Sequence, residues 1–175
     1  MSHNLQPLKT INYRGGVVRF RIPADWVEEY EDEGGGTFYE SGDDTGTLRL
    51  NVITAKRPPG ENITAHSPTE ILSQNAAKYG VPIQPLRHGA VMIRYEQSFK
   101  EDGQPIRLRR WEIAQALPPS HVRLVMFSYT LLPEQFEDPS FAAELQLLDR
   151  EIAASELSPE VGETPAKKNP WWKLW

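Results

Sequence analysis

The chain contains no cysteine among its 175 residues. Disulfides, thiolate-bound zinc, iron–sulfur clusters and thiol nucleophiles are therefore excluded. No stretch approaches the ~20 apolar residues that a membrane-spanning helix needs. Positive charge is in short supply as well, with 19 Lys and Arg against 24 Asp and Glu and a formal net charge of −5. Such a surface repels phosphate backbones, so nucleic acid is not expected as a partner. The opening residues Met1 to Lys9 carry no basic segment followed by an apolar run, which sets the expected address as the cytoplasm.

Motifs that announce chemistry are missing in turn. There is no Gly-x-Ser-x-Gly elbow, no phosphate loop ending in Gly-Lys-Ser/Thr, and no His-Glu-x-x-His. Gly34, Gly35 and Gly36 precede residues of strand character where a dinucleotide fingerprint needs a helix, so they predict a bend. His3, His66, His88 and His121 are scattered singly. The acidic residues do not follow the spacing of a calcium loop. No metal and no cofactor is expected, and the chain is not expected to be an enzyme.

What is present describes a core and a tail. Hydrophobic residues make up 39% and charged residues 25%, a balance that fits a packed domain and not a disordered chain. One domain is expected over residues 1–157, followed by a linker and tail over 158–175. Period-two alternation predicts strands at 17–22, 37–40 and 47–54, joined as a meander. Ser67-Pro68-Thr69-Glu70 predicts a capped helix over 68–79, closed by Gly80. Strands follow at 90–99, 105–117 and 121–131, with Glu101-Asp102-Gly103 as a hairpin turn. The last strand is apolar on both faces, Val125, Phe127 and Tyr129 on one and Val122, Leu124 and Met126 on the other, which predicts an interior strand covered twice. Asp138-Pro139 starts a second helix whose stripe is Phe141, Leu145, Leu148 and Ile152. Hairpin-linked strands between isolated helices give an α+β fold, an antiparallel sheet of about six strands flanked by two main helices.

Two charged groups suggest contact surfaces. Nine acids and no Lys or Arg lie between Ile22 and Leu48 (Asp25, Glu28, Glu29, Glu31, Asp32, Glu33, Glu40, Asp43, Asp44). They form either a solvated loop face or a docking patch for a basic protein partner. Arg107, Arg109 and Arg110 crowd one strand. They either make cross-strand ion pairs, with Glu96 as a candidate, or grip a carboxylate or phosphate.

The tail is the other candidate site. Three of the five tryptophans stand in the last five positions, Trp171-Trp172-Lys173-Leu174-Trp175. Each large aromatic can bury about 150–250 Å², too much apolar area for a solvated end to carry without cause. Trp171, Trp172, Leu174 and Trp175 are therefore expected to dock. The surface is the chain's own domain or a twin subunit, another protein, or a membrane interface met by Lys167, Lys168 and Lys173.

The segment Phe20-Arg21-Ile22-Pro23-Ala24-Asp25-Trp26, a strand running into Pro-x-x-Trp, resembles the PsbP-like fold, as do the later hairpins and the closing helix with Leu145, Leu148 and Ile152. That family includes PsbP of photosystem II, the Mog Ran-binding proteins and the DcrB lipoproteins. The resemblance covers residues 17–155 and implies a central antiparallel sheet between helices, with an accessory role and no catalysis. No functional residue of the family maps onto this chain, and the Trp-rich tail departs from it. The expected function is a non-enzymatic accessory module that binds a protein through its tail. The competing expectation is a small-ligand binder or hydrolase using a cleft near Arg107, Arg109 and His121.

Overall fold

The computed structural model describes residues 6–162. Ten strands and two helices follow in the order β1 Leu8–Tyr13, β2 Val18–Pro23, β3 Val27–Tyr30, β4 Gly36–Tyr39, β5 Thr47–Lys56, α1 Ser67–Tyr79, β6 Gln84–Pro85, β7 Val91–Glu101, β8 Gln104–Leu117, β9 His121–Leu131, α2 Pro139–Ala153 and β10 Glu156–Leu157. The fold is α+β, and every strand pair is antiparallel. Seven strands form one sheet in the order β3-β4-β5-β9-β8-β7-β6, and β1-β2-β10 form a second.

The three early strands are not a meander. β2 leaves the large sheet and pairs with β1 and β10, while β4 and β5 pair with each other and carry β3 at the sheet's edge. The reason is the buried face of β2. Val18, Phe20 and Ile22 are inaccessible because they lie against the large sheet. Phe20 meets Phe38 and Phe127 edge-on, at ring-centroid separations of 5.4 and 5.0 Å. Trp26, just beyond β2, stacks on Tyr129 of β9 at 6.5 Å. The first face of the large sheet is thus covered by the small sheet and by α2, whose Leu148 and Ile152 are fully buried in the same core.

The second face belongs to α1. Leu72 and Ala76 pack there on Ile93, Tyr95 and Ala114 of β7 and β8. The helix begins differently from the expected capping box. His66 is the residue before the first turn and makes no side-chain cap; Ser67 Oγ instead accepts from the Thr64 N–H at 2.9 Å. Pro68 and Glu70 occupy the first turn as the sequence implies, and Gly80 ends the helix in the left-handed region. At α2 the cap forms as expected, Asp138 accepting from the Ser140 N–H at 2.8 Å.

Two local features fix the large sheet's register. Asp102 and Gly103 both have positive φ, 50° and 82°, the backbone that a two-residue hairpin requires. Gly46 sits where the chain enters β5, and a Cβ there would lie 1.8 Å from the Tyr129 hydroxyl. Replacing it with alanine forces the Tyr129 ring out of its place against Trp26. Gly46→Ala is expected to cost about 1–3 kcal/mol, the range for overpacking a close-packed site, read as a lower urea midpoint. An unchanged midpoint would contradict this packing.

Candidate functional site

The cross-strand register decides which side chains share each face. On β9, Val125, Phe127, Tyr129 and Leu131 face the core beside Val52, Leu50, Leu48 and Ile113. Val122, Leu124 and Met126 face the other way, beside Ala55 and Ile53 of β5. Helix α1 packs on β7 and β8, so it covers one half of the second face and leaves the β5–β9 half open. A groove of ≈ 750 Å³ results. Its floor is apolar, made by Ile53, Ala55, Val122, Leu124 and Met126, with Ile71 of α1 as one wall. The rim is charged, with Lys56 at the end of β5, Arg57 and Glu61 from the loop after it, and Glu70 from the first turn of α1. Arg57 and Glu61 are themselves paired at 3.0 Å. A groove of this size falls within the 300–1,000 Å³ range of ligand pockets, and an apolar floor with few polar groups is their common lining.

On the core face, directly behind this floor, lies Arg123. Its side chain is fully buried, between Thr54 of β5 and Gln115 of β8. Its donors go to Gln115 Oε1 (3.1 Å), Thr54 Oγ1 (3.4 Å) and the carbonyls of Ser158 (2.5 Å), Glu160 (2.6 Å) and Val161 (3.2 Å). Five bonds match the five N–H groups of a guanidinium. All the acceptors are neutral, and burial pulls the guanidinium's pKa downward. Residues 158–161, read from composition as the start of a free linker, are therefore held against the domain.

The three sequence-predicted arginines do not form one cluster. Arg107 lies over the Phe136 ring at 4.4 Å. Arg109 bonds Glu96 at 2.7 Å and Asp149 at 3.0 Å, the cross-strand pairing anticipated for it with a helix carboxylate added. Arg110 points to the opposite face, opposite Tyr95 and Ser128. His121 stands at the other end of β9 from Leu131, the partner of Arg107. Ten residues of strand separate those ends, roughly 33 Å at ~3.3 Å per residue. Arg107, Arg109 and His121 therefore line no common cleft, because antiparallel pairing puts them at opposite ends of the sheet.

The acidic stretch is part strand, not a loop. β3 forms the sheet edge with Glu28 and Glu29 exposed. Lys9 pairs with Glu28 at 2.9 Å, and its bonding holds that carboxyl below the usual range against the upward pull of burial. Tyr30 donates to Glu28 and Tyr39 to Glu29, at 2.7 and 2.6 Å. Trp171, Trp172, Leu174 and Trp175 lie outside the described residues. Among the described residues no group of three or more His, Asp or Glu is placed to hold a metal ion, and no helix is long and apolar enough to cross a membrane.

The groove was not legible in the sequence. The two-sided apolarity of 121–131 predicted cover on both faces, whereas α1 covers only the β7–β8 half of the second face and leaves Val122, Leu124 and Met126 lining the groove.

No family model matches the sequence, and no curated protein matches it. Its fold has solved counterparts. A protein from Bacteroides thetaiotaomicron is similar at 18% identity with a TM-score of 0.58, over 93% of this chain and 53% of that one. This chain thus spans about half of that protein's length. LpqN of Mycobacterium tuberculosis, described as involved in cell envelope biogenesis, is similar at 11% identity with a TM-score of 0.58, over 85% of this chain and 89% of that one. Identities this low show a shared fold.

One half-buried acid makes the packing sensitive to pH. Glu144 of α2 accepts a hydrogen bond from Tyr129. Burial raises its pKa, the Tyr129 bond lowers it, and the negative charges of Glu40 and Asp25 raise it further, with a net upward shift from 4.5. The folded chain then retains a proton that the unfolded chain has released, so stability falls as pH rises from 4.5 through the folded-state value. Glu144→Gln is expected to flatten this fall in urea midpoints taken from pH 4 to pH 7. Parallel profiles for parent and variant would show that Glu144 is not the group responsible.

Proposed function

We propose that the protein is a non-enzymatic accessory module that holds a partner in the groove on the open half of its large sheet. The observation that carries this is the uneven covering of β9, whose core face is sealed by two elements while Val122, Leu124 and Met126 face a groove. Apolar side chains left at a surface are stabilised by whatever excludes water from them, at about 1.5–3 kcal/mol for each Leu-sized group fully covered. A partner presenting apolar side chains within a charged surround suits both the floor and the rim. The best-fitting partner is a protein, met through the groove, the tail or the acidic 25–44 edge, in the cytoplasm. A homodimer and a membrane surface are the other partners the tail would serve. Kinship with the PsbP-like fold belongs to the same reading. It is supported by the strand ending at Pro23 and by Trp26, buried against Tyr129.

An apolar fluorescent probe, 1-anilinonaphthalene-8-sulfonate, tests the groove directly. Saturable binding is expected, weakened roughly tenfold or more, the equivalent of ~1.4 kcal/mol, by Met126→Glu. Tyr30→Ser, which removes an exposed aromatic on the β3 edge that packs toward Tyr13 and Phe38 and not into the groove, should leave binding unchanged. Binding that survives Met126→Glu would remove the groove from this function.

A further inference from the structure

Arg123 fixes where the chain leaves the domain. It holds the carbonyls of Glu160 and Val161, and its sequence neighbours Val122 and Leu124 lie in the groove floor on the other face of the same strand. The chain therefore departs one sheet's thickness from the groove. Thirteen residues, 163–175, follow. Trp171 is ten residues beyond Val161, a reach of up to ~35 Å at 3.3–3.6 Å per residue, whereas packed layers stand about 10 Å apart. The tail can round the sheet end with length to spare.

Composition matches the groove to this segment. Trp26 and Trp111 are buried in the core, leaving three tryptophans and Leu174 in the last five positions to be covered. The groove supplies an apolar floor. Its rim is mixed, Lys56 and Arg57 beside Glu61 and Glu70 with Arg57 and Glu61 paired to each other, so it offers Glu70 to the tail's Lys167, Lys168 and Lys173 without a net attraction, and apolar area makes the match. The acidic edge at β3 would attract those lysines, but Glu28, Glu29 and Tyr30 are exposed there and offer no apolar floor.

We propose that residues 171–175 of the same chain occupy the groove in cis, so that a partner gains the groove by displacing them. This rests on the reading of the groove as a binding surface and makes the tail its resident occupant.

The test uses the full-length chain. Trp26 and Trp111 give a protected baseline for acrylamide quenching of tryptophan emission. In the parent the tail indoles should be protected nearly as well, and Met126→Glu should raise the quenched fraction several-fold. Met126→Gln, which keeps the side chain's length, serves if circular dichroism shows the charged variant disturbed. Serine at positions 171, 172 and 175 (W171S, W172S, W175S) should raise affinity for the anilinonaphthalene probe roughly tenfold. Freely quenched tail indoles in the parent would overturn the proposal. So would protection that rises with protein concentration alongside a dimer mass, which assigns the groove to a second copy's tail. If the serine variant binds the probe no tighter than the parent, yet Met126→Glu abolishes binding in it, the tail inference alone fails. If Met126→Glu has no effect in either background, the groove itself fails.

Discussion

The structure depends on one strand that is apolar on both faces. β9 lies at the centre of a seven-stranded sheet, and water must be excluded from each of its faces by something outside the sheet. The core face recruits the most. Phe20 of the small sheet and Leu148 and Ile152 of α2 meet Phe127, Val125 and Trp111 in one continuous cluster. The other face recruits α1, a 13-residue helix about 20 Å long at 1.5 Å per residue. One helix of that size covers two strands, and it settles over β7 and β8. The groove is the remainder of that division.

Charge is used mainly to fasten covers to the sheet. Asp149 of α2 accepts from the Trp111 indole N–H at 2.9 Å and pairs with Arg94 and Arg109 at 2.8 and 3.0 Å. Glu151, 2% exposed, bonds Arg21 of β2 at 2.7 Å. On the α1 side, the buried Glu112 accepts from the Asn75 amide at 3.1 Å and from the Tyr95 hydroxyl at 2.5 Å. Arg123 does the same for the chain's last described turn with no carboxylate at all. Buried charges are costly unless each donor and acceptor is answered, and here the answers come from the elements being held. Arginines that looked like an anion grip in the sequence are, at positions 107 and 109, part of this fastening.

The sequence carried the long elements plainly because their periodicity extends over enough residues to be decisive. β5, β7, β8, β9 and both helices fall where alternation or the 3–4 spacing puts them. The short strands could not be seen that way. β6 and β10 are two residues each, too short for any period. β3 is Val-Glu-Glu-Tyr, charged at its centre, and is a strand only because β4 pairs with it. β1 buries just Ile11 and Tyr13, between polar residues that hide the alternation. Assigning β2 to the small sheet needed the partners β1 and β10, neither of which its own residues name. The groove was invisible for a similar reason, since uncovered surface is defined by where a helix stops.

The proposed function requires binding on the β5–β9 half of the second face. Methyl NMR of the serine-substituted tail variant, titrated with the anilinonaphthalene probe, reads that directly. The account predicts shifts at Ile53, Val122, Leu124 and Met126, with Ile22 and Val125 on the core side unmoved. Shifts confined to the core side or to the β3 edge, with the floor methyls silent, would contradict it.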